Sequence, residues 1–164
     1  KPLFMRLSVE DDAGWGPDES VALSRLVKEK GVDVIDCSSG GMRGSPVISA
    51  GPVGYGYQVP YAEKIRAEAD IATMAVGLIV HAEQAEEILQ KGQADLIAVG
   101  REFLHNPNWA LDAALKLGAE GAFQVTPPAY DYWLEKRASS VKAVTPSTYF
   151  SGADDSNTDA RPST

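Results

Sequence analysis

The feature that most narrows what this chain can fold into is a fourfold alternation of two patterns. Short apolar runs stand at 2–8 (PLFMRLS), 32–39 (VDVIDCSS), 71–77 (IATMAVG) and 94–100 (ADLIAVG). Each is followed by a segment that reads as helix. Pro17 opens ESVALSRLVKEKG, which carries apolar Val21, Ala22, Leu26 and Val27 and stops at Gly31. VPYAEKIRAEAD, AEQAEEILQKGQ and NWALDAALKLG follow the other three runs. The order is β-α-β-α-β-α-β-α, which implies a parallel sheet with right-handed crossovers. Two architectures fit: a doubly wound open sheet, or part of a (β/α)8 barrel. In both, ligands sit at the carboxyl ends of the strands.

Those ends are Arg6-Leu7-Ser8, Cys37-Ser38-Ser39-Gly40, Val76-Gly77-Leu78 and Val99-Gly100-Arg101. The fourth is the most telling. Asp95 to Val99 reads as a strand buried on both faces that stops at Gly100 and turns directly into helix. Gly100 has no Cβ, so a ligand can approach the backbone there. The amides opening the next turn lack partners within the helix and favour an anion. Arg101 adds a planar fork matched to phosphate oxygens. Together these describe a phosphate cradle; the alternative is a strand capped by a solvent-exposed arginine. Arg6 is a charge inside an apolar run, so it is either paired with a carboxylate or aimed at a ligand. Barrels frequently bind phosphate with the loops after strands 7 and 8. If the last two strands are those, the chain supplies strands 5–8 with their helices, the C-terminal half of a (β/α)8 TIM barrel.

Composition narrows the partners. The net charge is −8 and no cluster of lysines or arginines marks one face, which argues against nucleic acid and anionic membrane. No window reaches the ~18 uninterrupted apolar residues that a membrane span requires. A single cysteine, Cys37, excludes an internal disulfide and fits a cytoplasmic location. His81, His105 and Cys37 are too scattered to make a metal set. The opening KPLFMRLS runs straight into a strand without a leader, as in a chain that begins inside a larger fold.

The segments PLFMRLS, GVDVIDCSSGG, GYQVPYAEKIR, IATMAVGLI and ADLIAVGREFLHNPNWA, in that order, resemble the C-terminal half of the old yellow enzyme family. The similarity is greatest to its thermophilic-like branch of FMN-dependent ene-reductases and NADPH dehydrogenases, and covers roughly residues 1–137. The resemblance implies FMN as cofactor and NADPH or NADH as hydride donor. The acceptor would be the activated C=C of an enone or enal. It places Arg6 beside the pyrimidine edge of the flavin, where a fixed positive charge favours the reduced anion. It places Ser38, Ser39 and Gly40 along the cofactor, and backbone amides around Gly77, Leu78 and Gly100, with Arg101, on the phosphate. It further implies an N-terminal half of the same barrel as partner, and a homo-oligomer. The alternatives are an FMN barrel acting on a dienoyl or amine substrate, and a noncatalytic phosphate-binding half barrel.

That family's substrate-binding histidine pair, proton-donating tyrosine and flavin-tuning cysteine come from the first half of the barrel, so no catalytic residue is assigned in this chain. His81 is expected to open a helix and His105 to lie in a turn, both with surface roles. Cys37 reads as core rather than nucleophile, and Trp15, Tyr55 and Tyr57 as loop packing. The long Gly40–Gln58 segment is expected to shape the substrate side of the site. Residues 138–164 are rich in serine, threonine, aspartate, alanine and proline and read as a disordered tail, with Thr148-Tyr149-Phe150 a candidate docking cluster. One stretch departs from the resemblance. The family's branch carries Pro-x-Gln-Tyr-x-Arg near its end, with an arginine that reaches the neighbouring subunit. Here Ala129 and Tyr132 stand at the glutamine and arginine positions, Tyr130 keeps its place, and Arg137 is a weak substitute.

Overall fold

The alternation of patterns becomes four parallel strands in chain order: β1 (Phe4–Ser8), β2 (Val34–Ser38), β3 (Ala72–Ala75) and β4 (Leu96–Ile97). The structure is a computed structural model and describes residues 1–43 and 53–140. The registers are regular: Arg6 stands opposite Asp36, Asp36 opposite Met74, and Met74 opposite Leu96. Among the described residues no strand is inserted between sequence neighbours, so their order shows no reversal of the doubly wound kind. A parallel α/β sheet of this order is consistent with part of a TIM barrel.

The chain divides into two units, residues 1–107 and the part from Asn108 onward. The first holds the sheet with α1 (Pro17–Lys28), α2 (Val59–Ala69), α3 (Ala82–Gln90) and α4 (Arg101–His105). Helix α1 starts where Pro17 fixes φ and the Glu19 carboxylate accepts the Gly16 N–H at 3.2 Å. Its acidic first turn and basic last turn complement the peptide dipoles. Helix α2 packs on β2, β3 and α1 and ends at Asp70, whose φ of 51° is left-handed. The second unit holds α5 (Trp109–Lys116), a 3-10 turn (Ala122–Val125) and α6 (Pro128–Ser140). Both of its helices pack on that turn.

Alternate strand residues point to opposite faces, as the period-two geometry of a strand requires. Ile35, Cys37, Thr73 and Ala75 are wholly buried, as are Ala62 and Ile65 of α2. Burying each isoleucine contributes roughly 1.5–3 kcal/mol. Residues of opposite parity are covered on β2, where Val34, Asp36 and Ser38 are buried, but not toward the sheet edges: Phe4 is 44% exposed and Leu96 40%.

That exposure at the edge corrects one expectation. The fourth strand was read as Asp95 to Val99, buried on both faces, but only Leu96–Ile97 is regular strand and Leu96 is exposed. Asp95 turns away to receive Arg66, while the ladder runs one bond further, from Ala98 N–H to Ala75 O at 2.8 Å. The other strands and helices expected from sequence form within their segments, shorter by one to three residues in all but α1, which starts at Pro17. Helix α6 runs to Ser140, past the expected boundary at 137. Residues 141–164, including Thr148-Tyr149-Phe150, and residues 44–52 of the long segment lie outside the described residues.

Candidate functional site

At the carboxyl ends of the strands lies a cleft of about 650 Å³, within the range of small-molecule sites. Seven of the eight residues singled out from sequence line it: Arg6, Ser38, Ser39, Gly77, Leu78, Gly100 and Arg101. Gly40 does not; its N–H donates to Glu10 O at 3.3 Å beside the cleft wall.

Of the two roles the sequence allows Arg6, a carboxylate partner and a ligand, the structure shows the first and leaves room for the second. Its Nη1 donates to Asp36 Oδ2 at 2.7 Å. Asp36 is nearly buried, at 11% side-chain exposure, whereas the arginine is 59% exposed and faces the cleft. One N–H of five is thus committed and the rest of the fork is turned outward. The Ser38 hydroxyl is spent inside the fold, donating to Leu7 O at 3.0 Å.

The end of β3 forms the tightest part of the wall. Gly77 has φ 119° and Leu78 φ 49°, both left-handed. For a leucine that conformation is uncommon and concentrates at functional turns. Three bonds hold the turn: Gly56 N–H to Gly77 O (2.9 Å), Gln84 Nε2 to Leu78 O (3.0 Å) and Val80 N–H to Gln84 Oε1 (3.1 Å). A Cβ on Gly77 would stand 2.9 Å from Gln58 Nε2 and 3.1 Å from the Tyr57 ring, so only glycine fits. Gly100 differs: a Cβ there would meet nothing within 4 Å, and the backbone lies open to the cleft. Arg101 opens α4, which is only five residues long, so the arginine and not a helix dipole supplies the positive charge. Among the described residues it makes no ion pair.

Among the cleft-lining residues outside that set, two polar side chains stand out. Gln58 is buried, and its Oε1 accepts from both the N–H and the hydroxyl of Ser39, at 2.5 and 2.8 Å. Its Nε2 approaches Val76 O at 3.4 Å, so one amide ties the end of β2 to the end of β3. The only sequence signal was its place at the close of the long loop, just before α2. His105 is the second: it ends α4 instead of lying in the following turn, and it lines the cleft. Tyr57, read as loop packing, also lines the wall, whereas Tyr55 is exposed and edges onto His81 at 5.0 Å. Trp15 donates to Ser20 Oγ at 2.7 Å.

Behind the wall, Tyr61 donates to Glu10 Oε2 at 2.5 Å and links α2 to the loop after β1. Burial, and then that bond, pushes its phenol up to about 12. Burial, and then the nearby Asp36 charge, likewise pushes the Cys37 thiol up to about 12, so it is a core residue and not a nucleophile. Among the described residues no helix is long and apolar enough to cross a membrane.

In the second unit Tyr130, Tyr132 and Trp133 of α6 are all exposed. Tyr132 and Trp133 meet edge to face at 5.1 Å, and Lys136 lies over the Tyr132 ring.

Comparison with known proteins accounts for this arrangement. Residues 1–120 match the NADH:flavin oxidoreductase / NADH oxidase family. Over 119 residues the chain is 53% identical to an NADPH dehydrogenase of Halalkalibacterium halodurans, covering 71% of this chain and 34% of that protein. Over 121 residues it is 49% identical to an NADPH dehydrogenase of Bacillus subtilis, covering 73% and 35%. The chain thus spans about a third of the length of these relatives. The matched stretch takes in all four strands and every cleft-lining residue, while α6 lies beyond it. The resemblance read from those five segments is borne out: this chain belongs to the NADH:flavin oxidoreductase / NADH oxidase family, the old yellow enzyme family.

Proposed function

We propose that this chain is the flavin-holding part of an FMN-dependent NAD(P)H oxidoreductase of the ene-reductase kind, supplying strands 5–8 of a TIM barrel. The observation that carries the reading is that two arginines from different strand ends, Arg6 and Arg101, line one cleft with the left-handed Gly77-Leu78 turn between them. The residues present fit FMN. Arg101 is a cation without an ion-pair partner among the described residues, and Gly100 leaves open space beside it for a phosphate. Amides around Gly77, Leu78 and Gly100 complete the cradle. Arg6 keeps free N–H groups for the polar pyrimidine edge. Ser39, held by Gln58, borders the cofactor, with Ser38 a packing support beneath it and Gly40 outside the cleft.

FMN, when bound, supplies hydride transfer from NADPH or NADH to the activated C=C of an enone or enal. The chain's own residues bind and orient it. Arg101 anchors the phosphate, and Arg6 fixes the ring and supplies positive charge at its edge. The groups that hold and protonate the substrate come from a partner, the N-terminal half of the same barrel, in a cytoplasmic homo-oligomer. Phe4 and Leu96, apolar and exposed toward the sheet edges, are what that half would cover.

Co-expression of this chain with an N-terminal half from the family tests the reading. The purified complex is expected to be yellow, with flavin absorbance bands, and to oxidise NADPH faster when an enone is added. A colourless complex that binds inorganic phosphate would instead support the noncatalytic half barrel.

A further inference from the structure

We infer that Asp36 is a positioning residue for Arg6 and sets the net charge that Arg6 presents to the flavin. The inference rests on the FMN reading of the cleft. Arg6 and Asp36 are register partners on adjacent parallel strands, so their side chains leave the same face of the sheet side by side. The bond between them is short, 2.7 Å, and unequal in exposure: the carboxylate is fixed in the sheet and the guanidinium reaches into the cleft. Among the described residues Arg6 is the only cation paired with Asp36. Its other oxygen, Oδ1, is buried without a hydrogen-bond partner. The next residue across the sheet, Met74, has no polar hydrogen to offer. A buried carboxylate so poorly satisfied is costly, and it persists here only through Arg6.

Two consequences follow for a flavin seated against Arg6. The carboxylate locks the direction of the guanidinium, so its free N–H groups point at one place in the cleft. It also cancels part of the charge. Coulomb energy falls only as the inverse of distance, so a carboxylate a few ångströms behind the guanidinium offsets a large share of what the flavin experiences. Arg6 and Asp36 therefore act as an oriented dipole, and the flavin potential lies lower than a lone arginine would set it.

Redox titration of the flavin-loaded complex separates the two residues by sign. Arg6→Met is expected to lower the midpoint potential. Asp36→Asn keeps an acceptor for Arg6 and deletes the charge, so the midpoint should rise. A tenfold shift toward reduced flavin corresponds to about 30 mV for a two-electron couple. Asp36→Ser, smaller and also neutral, should move it the same way and guards against an effect peculiar to asparagine. If Arg6→Met lowers the midpoint while both neutral variants leave it unchanged or lower it, Asp36 is a structural partner only and the inference fails by itself. Failure of both neutral variants to take up flavin overturns it too, because a tuning charge is not needed for binding. An unchanged midpoint in Arg6→Met removes Arg6 from the flavin, and the FMN reading of this wall falls with the inference.

Discussion

The two ends of the sheet are finished in opposite ways. At the amino ends, polar groups find partners within the fold. Asp33 Oδ2 accepts the Leu3 N–H at 2.7 Å, and Asp95 accepts the Thr73 N–H at 2.9 Å while meeting Arg66 Nε at 3.1 Å. Lys28 reaches Asp70 just before β3. At the carboxyl ends the fold leaves the left-handed Gly77-Leu78 turn in the cleft wall, an open glycine, and an arginine that has no ion-pair partner among the described residues. One end is closed by its own side chains, and the other is arranged for something from outside. The difference matches the separation of a stabilising end from a ligand-binding end that (β/α)8 barrels show.

The largest expected effect is at the open end. Gly77→Ala forces a side chain into a φ of 119° and against Gln58 and Tyr57, a strain of about 1–3 kcal/mol or more. FMN affinity of the flavin-binding complex should fall up to roughly a hundredfold, the upper end of that energy expressed as a ratio. Unchanged affinity in a fluorescence titration would place the turn outside the site and blur the contrast between the ends. At the closed end, Asp95→Ala leaves the buried Thr73 amide without its acceptor and Arg66 unpaired. Urea denaturation should show a loss of about 1–3 kcal/mol, with FMN affinity of the folded complex intact. A parallel loss of affinity would mean the two ends are not separable. The smallest effect belongs to neither end. Tyr132→Ala removes an exposed aromatic of α6, and sedimentation should show at most a modest weakening of self-association, with flavin binding untouched. Loss of flavin from that variant would tie α6 to the site.

The contrast was partly legible in the sequence, and for a definite reason. Gly77, Gly100 and Arg101 stand where apolar runs stop, so local pattern and the rule for strand ends pointed to them as residues of the cleft. Arg6 was conspicuous as a charge within such a run, but its partner Asp36 was not, because 30 residues and a whole crossover separate them. Gln58 was hidden for the same reason: its amide matters only once the ends of β2 and β3 lie side by side. The error over β4 is different in kind. Leu96 carries the signature of a two-sided core strand, but at the edge of the described sheet it is 40% exposed. Sequence pattern records the burial a residue is suited to, and not which part of the structure provides the cover.

The central claim is that the carboxyl ends of these strands bind the FMN phosphate through Arg101. Calorimetric titration of the complex and its Arg101→Ala variant with FMN and with riboflavin tests it most directly. A charge-assisted contact of about 1.5–3 kcal/mol predicts a ten- to hundredfold loss of FMN affinity and almost no change for riboflavin, which lacks the phosphate. An equal loss for both ligands would show that Arg101 acts through the fold, and would contradict the claim.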